Sequence, residues 1–137
     1  MEHSGKVAEY LVLAELIRKD VEAYSAISFR QPHYDITVVR LDRTVARVQV
    51  KATELQNGST NNSISNLEKE YDYLVLVVFD DPVQYFILTK NEVKSEYAEN
   101  QPGVIYVSQS DSGRYKVRNN LLTYEDKWEK IMGEPNA

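Results

Sequence analysis

Apolar residues recur at helical spacing near the start of the chain. Val7, Tyr10, Leu11, Ala14 and Ile17 follow Ser4, a candidate N-cap, and predict a helix over 4–20. Val12, Leu13 and Leu16 widen the apolar surface beyond one stripe, so this helix is expected to be covered on more than one side. The period then shortens. Residues 23–29 form a strand candidate, and 34–41 and 44–53 form a predicted hairpin about Asp42-Arg43. The stretch 54–63 is polar apart from Leu55 and reads as a mobile loop, followed by one helical turn over 66–71. Residues 73–79 are almost continuously apolar, as a central buried strand requires. After Asp80-Asp81-Pro82 the chain returns as a strand over 84–88. Thr89 with Glu92 matches a capping box opening a helix through about Ala98. Peripheral strands are expected over 104–107 and 114–118, the second following an Asp111-Ser112-Gly113 turn. Thr123 with Asp126 resembles a second capping box for a last helix through Ile131, which docks Trp128 and Ile131 inward; 133–137 should fray. The order predicts one mixed α/β layer fold, with a helix against a central sheet.

The 137 residues make one domain over 1–137, with no repeat or linker. With no cysteine there is neither a disulfide framework nor a thiolate zinc site. No apolar run approaches the ~20 residues of a membrane span, and no secretory leader is evident, so a cytoplasmic location is expected. The net charge of −5 argues mildly against a nucleic-acid partner, although a local basic face can sit on an acidic body.

The hairpin changes that picture. Side chains alternate faces along a strand, so Gln49 and Lys51 point one way and Val48, Val50 and Ala52 the other. Asp35, at the far end of the partner strand, pairs with the late part of the second strand, bringing Asp35, Gln49 and Lys51 to one corner. An oxygen-rich corner with a lysine suits magnesium-assisted phosphodiester hydrolysis, since Mg2+ prefers hard oxygen ligands. Asp35 would supply a carboxylate, Gln49 an amide oxygen and Val50 its backbone carbonyl. Lys51 would orient or help deprotonate the attacking water and steady the transition state. Glu9 has Leu13 and Leu16 at i+4 and i+7 and so lies on a partly buried side of the first helix, where a lone carboxylate is costly. The bland reading of this pattern is a half-exposed strand.

The runs G-K-V-A-E (Gly5 to Glu9), Y-D-I-T-V (Tyr34 to Val38) and V-Q-V-K-A-T (Val48 to Thr53) resemble the PD-(D/E)xK nuclease superfamily. They are closest to its branch of group I intron-encoded homing endonucleases and Holliday junction resolvase-like proteins. The resemblance covers 4–89; the strands and helix of 104–132 carry no motif. It implies a restriction-endonuclease-like three-layer core, with a mixed central sheet flanked by helices. It also implies an active site of Glu9, Asp35, Gln49 and Lys51, with Mg2+ (Mn2+ able to replace it) held by Asp35, Gln49, Val50 and Glu9. The implied activity is endonucleolytic cleavage of double-stranded or branched DNA. Gln49 departs from the parent pattern, in which an acid precedes x-K, and removes one negative charge. A nuclease-derived module that grips DNA or protein without cutting is therefore the alternative. Cutting both strands would call for a homodimer or higher homo-oligomer.

Segment 30–51 carries five Lys or Arg against Asp35 and Asp42, so Arg30, Arg40, Arg43 and Arg47 are candidate phosphate contacts. Arg114, Lys116 and Arg118 read as an edge strand kept from aggregating by charge. Most of the ten tyrosines read as packing residues, and His3 and His33 do not suggest a metal site.

Overall fold

The computed structural model describes residues 2–26, 32–58 and 61–133. A long helix, α1 (Ser4–Arg18), precedes strands β1 (Glu22–Ser25), β2 (Ile36–Val39) and β3 (Val45–Glu54). Next come β4 (Ser63–Ile64), β5 (Tyr73–Phe79), β6 (Gln84–Thr89) and α2 (Lys90–Ser95). The chain ends with β7 (Ile105–Tyr106), β8 (Ser108–Asp111), β9 (Arg114–Val117), a 3-10 helix (Asn119–Tyr124) and α3 (Glu129–Met132). Five strands form one mixed sheet in the order β1-β2-β3-β5-β6, in which only β3 and β5 run parallel. β4 with β7, and β8 with β9, form two small antiparallel ribbons. Among the described residues, no helix is long and apolar enough to cross a membrane.

Two apolar clusters sandwich the sheet. Ala46, Val48 and Val50 of β3, with Val75 and Val77 of β5, pack under α1, joined by Trp128 and Ile131. Leu74, Leu76 and Val78 of β5 face the opposite way, onto Leu67, Tyr71, Val93, Ile105 and Leu121. β5 is thus covered on both faces, which explains its unbroken apolar run. The fold class is the expected one, a mixed sheet with helices on either side.

Several local expectations are corrected. Helix α1 buries Ala8, Val12 and Leu16, four residues apart in line with the sheet, while Val7, Tyr10 and Ile17 are 37%, 62% and 54% exposed. Among the described residues the helix is covered on one side only, with no layer above its other apolar stripe. Ser4 is already helical; His3 holds the N-cap with φ 61° and makes no side-chain cap. Strand β1 is shorter than expected, and 27–29 lie outside the described residues. Residues 66–71 form no helical turn. Leu67 and Tyr71 are instead drawn into the core, and Leu67 N–H donates to the Gly103 carbonyl at 3.1 Å. The 54–63 stretch is pinned at both ends: Leu55 and Asn62 are buried, and Asn62 Nδ2 donates to the carbonyls of Glu54 and Leu55. Thr89 and Glu92 do form the capping box, but α2 stops at Ser95. Thr123 caps no helix. It lies inside the 3-10 turn, Asp126 has φ 54° with its N–H on the Tyr85 carbonyl, and α3 begins only at Glu129.

Candidate active site

The corner is built by a strand that stops early. β2 pairs with β3 from Val39↔Val45 to Ile36↔Val48, and Asp35 N–H still donates to the Val48 carbonyl at 2.8 Å. The next residue of β3 whose backbone groups face that way is Val50, and among the described residues no strand meets it. The Asp35 carboxylate takes its place, its Oδ2 accepting from Val50 N–H at 2.8 Å. Gln49 lies on the same corner. Its Nε2 donates to Asp35 Oδ2 at 3.1 Å and to the Val50 carbonyl at 3.3 Å. Carboxylate, amide and carbonyl therefore converge, as the hairpin register predicts.

Gln49 is 6% exposed, and its Oε1 is buried without a hydrogen-bond partner. An orphaned acceptor beside a carboxylate and a backbone carbonyl is a test for a cation. The Nε2 donor sits between Asp35 Oδ2 and Val50 O, where a positive centre would sit. A half-turn of the amide would present Oε1 instead and complete a set of hard oxygens. The donor set fits a hard divalent ion. It is a lean set, for among the described residues no three His, Cys, Asp or Glu gather in one group.

Charge sharpens the corner. Burial is the largest influence on Asp35 and raises its pKa, opposed by the Val50 N–H and then by Lys51, Lys6 and Lys69. Glu9 is raised by burial and then by the charge of Asp35, while Lys6, paired with it at 3.4 Å, pulls it back. The pKa of Lys51 is lowered by burial and by Lys69, against the pull of Asp35. Glu9 and Lys51 thus share the electrostatic neighbourhood of Asp35. Lys6 and Lys69 also act on the charge of Asp35. Lys6 is legible in the sequence one turn before Glu9, whereas Lys69 lies in an aperiodic segment that gives no signal.

A search of solved structures finds this fold in a bacterial homing endonuclease, I-Ssp6803I. The two superpose with a TM-score of 0.68 over 96% of this chain and 92% of the other, at 15% sequence identity. The likeness is one of fold. No family model matches the chain, and no curated protein matches it.

The hairpin arginines do not gather at the corner. Arg40 is committed to the C-terminal helix side, donating to the Ile131 carbonyl and to Tyr73 Oη and lying over the Tyr73 ring. Arg43 occupies the hairpin turn with φ 72°, exposed and lining a cleft of ≈ 550 Å3 with Lys19, Val38 and Met132. Arg47 pairs with Asp72 at 3.4 Å. Arg30 lies outside the described residues. The cations in and just after β9 have partners within the fold: Arg114 meets Asp80, Lys116 meets Asp111, and Arg118 donates to the Ser108 carbonyl and Asn61.

Proposed function

We propose that this chain is a metal-dependent DNA endonuclease that hydrolyses phosphodiester bonds at the corner formed by Glu9, Asp35, Gln49, Val50 and Lys51. The observation that carries this reading is the convergence of the Asp35 carboxylate, the Gln49 amide and the Val50 carbonyl, with Gln49 Oε1 buried and unpartnered. Asp35, Gln49 and the Val50 carbonyl would hold Mg2+, with Mn2+ able to replace it, and Glu9 would lie near it. Such a cation supplies Lewis-acid polarisation of the phosphate and of water when bound. Glu9, with its raised pKa, is a stronger base than an exposed carboxylate and would accept a proton from the attacking water at its Oε atoms. Lys51, pushed below the usual lysine range, would orient that water and hold positive charge against the crowded phosphate oxygens. Asp35 fixes the corner by holding the Val50 N–H. The fold likeness to a bacterial homing endonuclease supports DNA as the partner. One site cuts one strand, so double-strand cleavage would use two copies.

The competing reading is a DNA-gripping module that does not cut. It is favoured by the hydrogen bond from Gln49 Nε2 to Asp35, which lets the corner close on itself without a cation. One assay separates the two: supercoiled, linear and four-way-junction DNA incubated with Mg2+, Mn2+ or EDTA. Nicking or linearisation with metal and none in EDTA is expected of the wild type, and none of the Asp35→Ala protein. Removing that carboxylate strands the Val50 N–H, at about 1–3 kcal/mol, so folding of the variant is checked by circular dichroism. Cleavage at the wild-type rate by folded Asp35→Ala would overturn the assignment. DNA retention without cleavage in any metal would favour the module.

A further inference from the structure

The hairpin tip, at the far end of β2 and β3 from the corner, carries a side chain that the fold leaves in water. Leu41 is 101% exposed, and Val45 beside the turn is 55% exposed. The tip is held rather than loose. Arg40 N–H donates to the Thr44 carbonyl and Arg43 N–H to the Arg40 carbonyl, both at 2.9 Å. Asp42 Oδ1 accepts from the Thr44 N–H at 3.0 Å and from the Thr44 hydroxyl at 2.6 Å. A held turn thus presents Leu41 as a fixed knob. One exposed leucine is ordinary on a protein surface; what sets this one apart is the cleft beside it.

That cleft, of ≈ 550 Å3, has apolar walls from Val21, Val38, Val39 and Met132, and Leu41 stands at its mouth. Charges of both signs line it. Lys19 is taken by Glu15 at 3.3 Å, and Arg40 by the Ile131 carbonyl and Tyr73 Oη. Arg43 and Asp20 are exposed on the same cleft, and among the described residues neither side chain has an ion pair or a hydrogen bond. A knob lies beside a hole, and an unpaired cation beside an unpaired carboxylate. A two-fold contact between identical chains requires this, since each copy must offer both halves.

We infer that this patch pairs two copies of the chain: Leu41 of each enters the cleft of the other, and Arg43 of each faces Asp20 of the other. Duplex DNA fits the patch less well, because Asp20, Glu22 and Asp42 would stand against its phosphates. The corner stays open, since β2 pairs with β3 from Val39 at the tip to Ile36, and Asp35 lies about 13 Å from Val39 along the strand. The pairing goes beyond the nuclease reading and does not depend on it.

The experiment is sedimentation equilibrium in EDTA without DNA, from about 1 µM to 1 mM protein, the range of a small interface. Wild type should show a monomer–dimer equilibrium. Leu41→Asp, at a fully exposed position that spares the fold, should remain monomeric. Arg43→Glu and Asp20→Arg should each raise the dissociation constant about tenfold or more, and the double exchange should bring it back toward the wild-type value. Circular dichroism confirms that each variant is folded. A wild type that is monomeric throughout, association unchanged in Leu41→Asp, or no recovery in the double variant would each overturn the pairing. A labelled duplex is titrated separately; if Leu41→Asp weakens that binding and leaves association unchanged, the tip belongs to DNA and the pairing is overturned. The sedimentation runs hold neither metal nor DNA, so their failure leaves the nuclease reading standing.

Discussion

At the residue scale, position 49 decides how the corner behaves. A neutral amide attracts a cation less than a carboxylate, so Gln49→Glu is expected to tighten Mg2+ or Mn2+ binding in the DNA-free protein by about tenfold or more, tenfold being about 1.4 kcal/mol. Calorimetric titration reads this directly, and superimposable isotherms would remove position 49 from the ligand set. Activity need not follow, because the added charge repels phosphate and raises the pKa of Lys51. Asp35 gives a second prediction. Its raised pKa means that the folded protein binds this proton more tightly than the unfolded chain does. Stability from this group is therefore present at low pH and lost as pH rises from the ordinary carboxylate range through the raised value. Asp35→Asn removes that loss, and its amide oxygen can still accept from Val50 N–H and Gln49 Nε2. In EDTA at neutral pH it should unfold at a higher urea concentration than wild type, the gap closing toward low pH, while cleavage disappears. A less stable variant at neutral pH would show that the lysines already compensate the charge. Asp35, Gln49 and Lys51 were legible because strand alternation and a short turn are local rules. The anchoring of the segment before β5 was not, since its partners, His33 and Lys90, are distant in sequence.

At the element scale the same pattern had two fates. Thr89-x-x-Glu92 caps α2 because Lys130 also reaches Glu92, at 2.8 Å, and Val93 buries beneath it. Thr123-x-x-Asp126 caps nothing because Asp126 N–H is claimed by the Tyr85 carbonyl, which bends the chain into a left-handed residue. Thr89→Ala should destabilise by about 0.5–2 kcal/mol in urea unfolding. Thr123→Ala, at an exposed position outside any cap, should stay within about 0.5 kcal/mol of wild type. An equal loss in both would mean that the capping box contributes nothing specific. Helix α1 teaches a related lesson. Its sequence holds two apolar stripes, and periodicity alone does not say which one meets the sheet; Ala8, Val12 and Leu16 meet it because Ala46, Val48 and Val50 lie opposite.

At the scale of the whole molecule, the sheet was readable as a buried centre with a hairpin on one side, whereas the two small ribbons were not. β4 and β7 are two residues each and join across long sequence separations, which leaves no periodic trace. The layered arrangement also grades protection across the sheet. β5 lies between two strands and two apolar clusters, so its amides should exchange with solvent only on global opening. Val50, one strand away, has its N–H held by a side chain instead of a strand. Its amide proton is consequently a built-in reporter. In a deuterium-exchange or amide-shift experiment, Asp35→Ala should release Val50 while leaving Val75 and Val77 as slow as before. Equal slowing or equal release at all three would mean that the corner opens only with the whole fold. An early-ending strand thus turns one backbone proton into a gauge of whether the carboxylate is in place, readable with no substrate present.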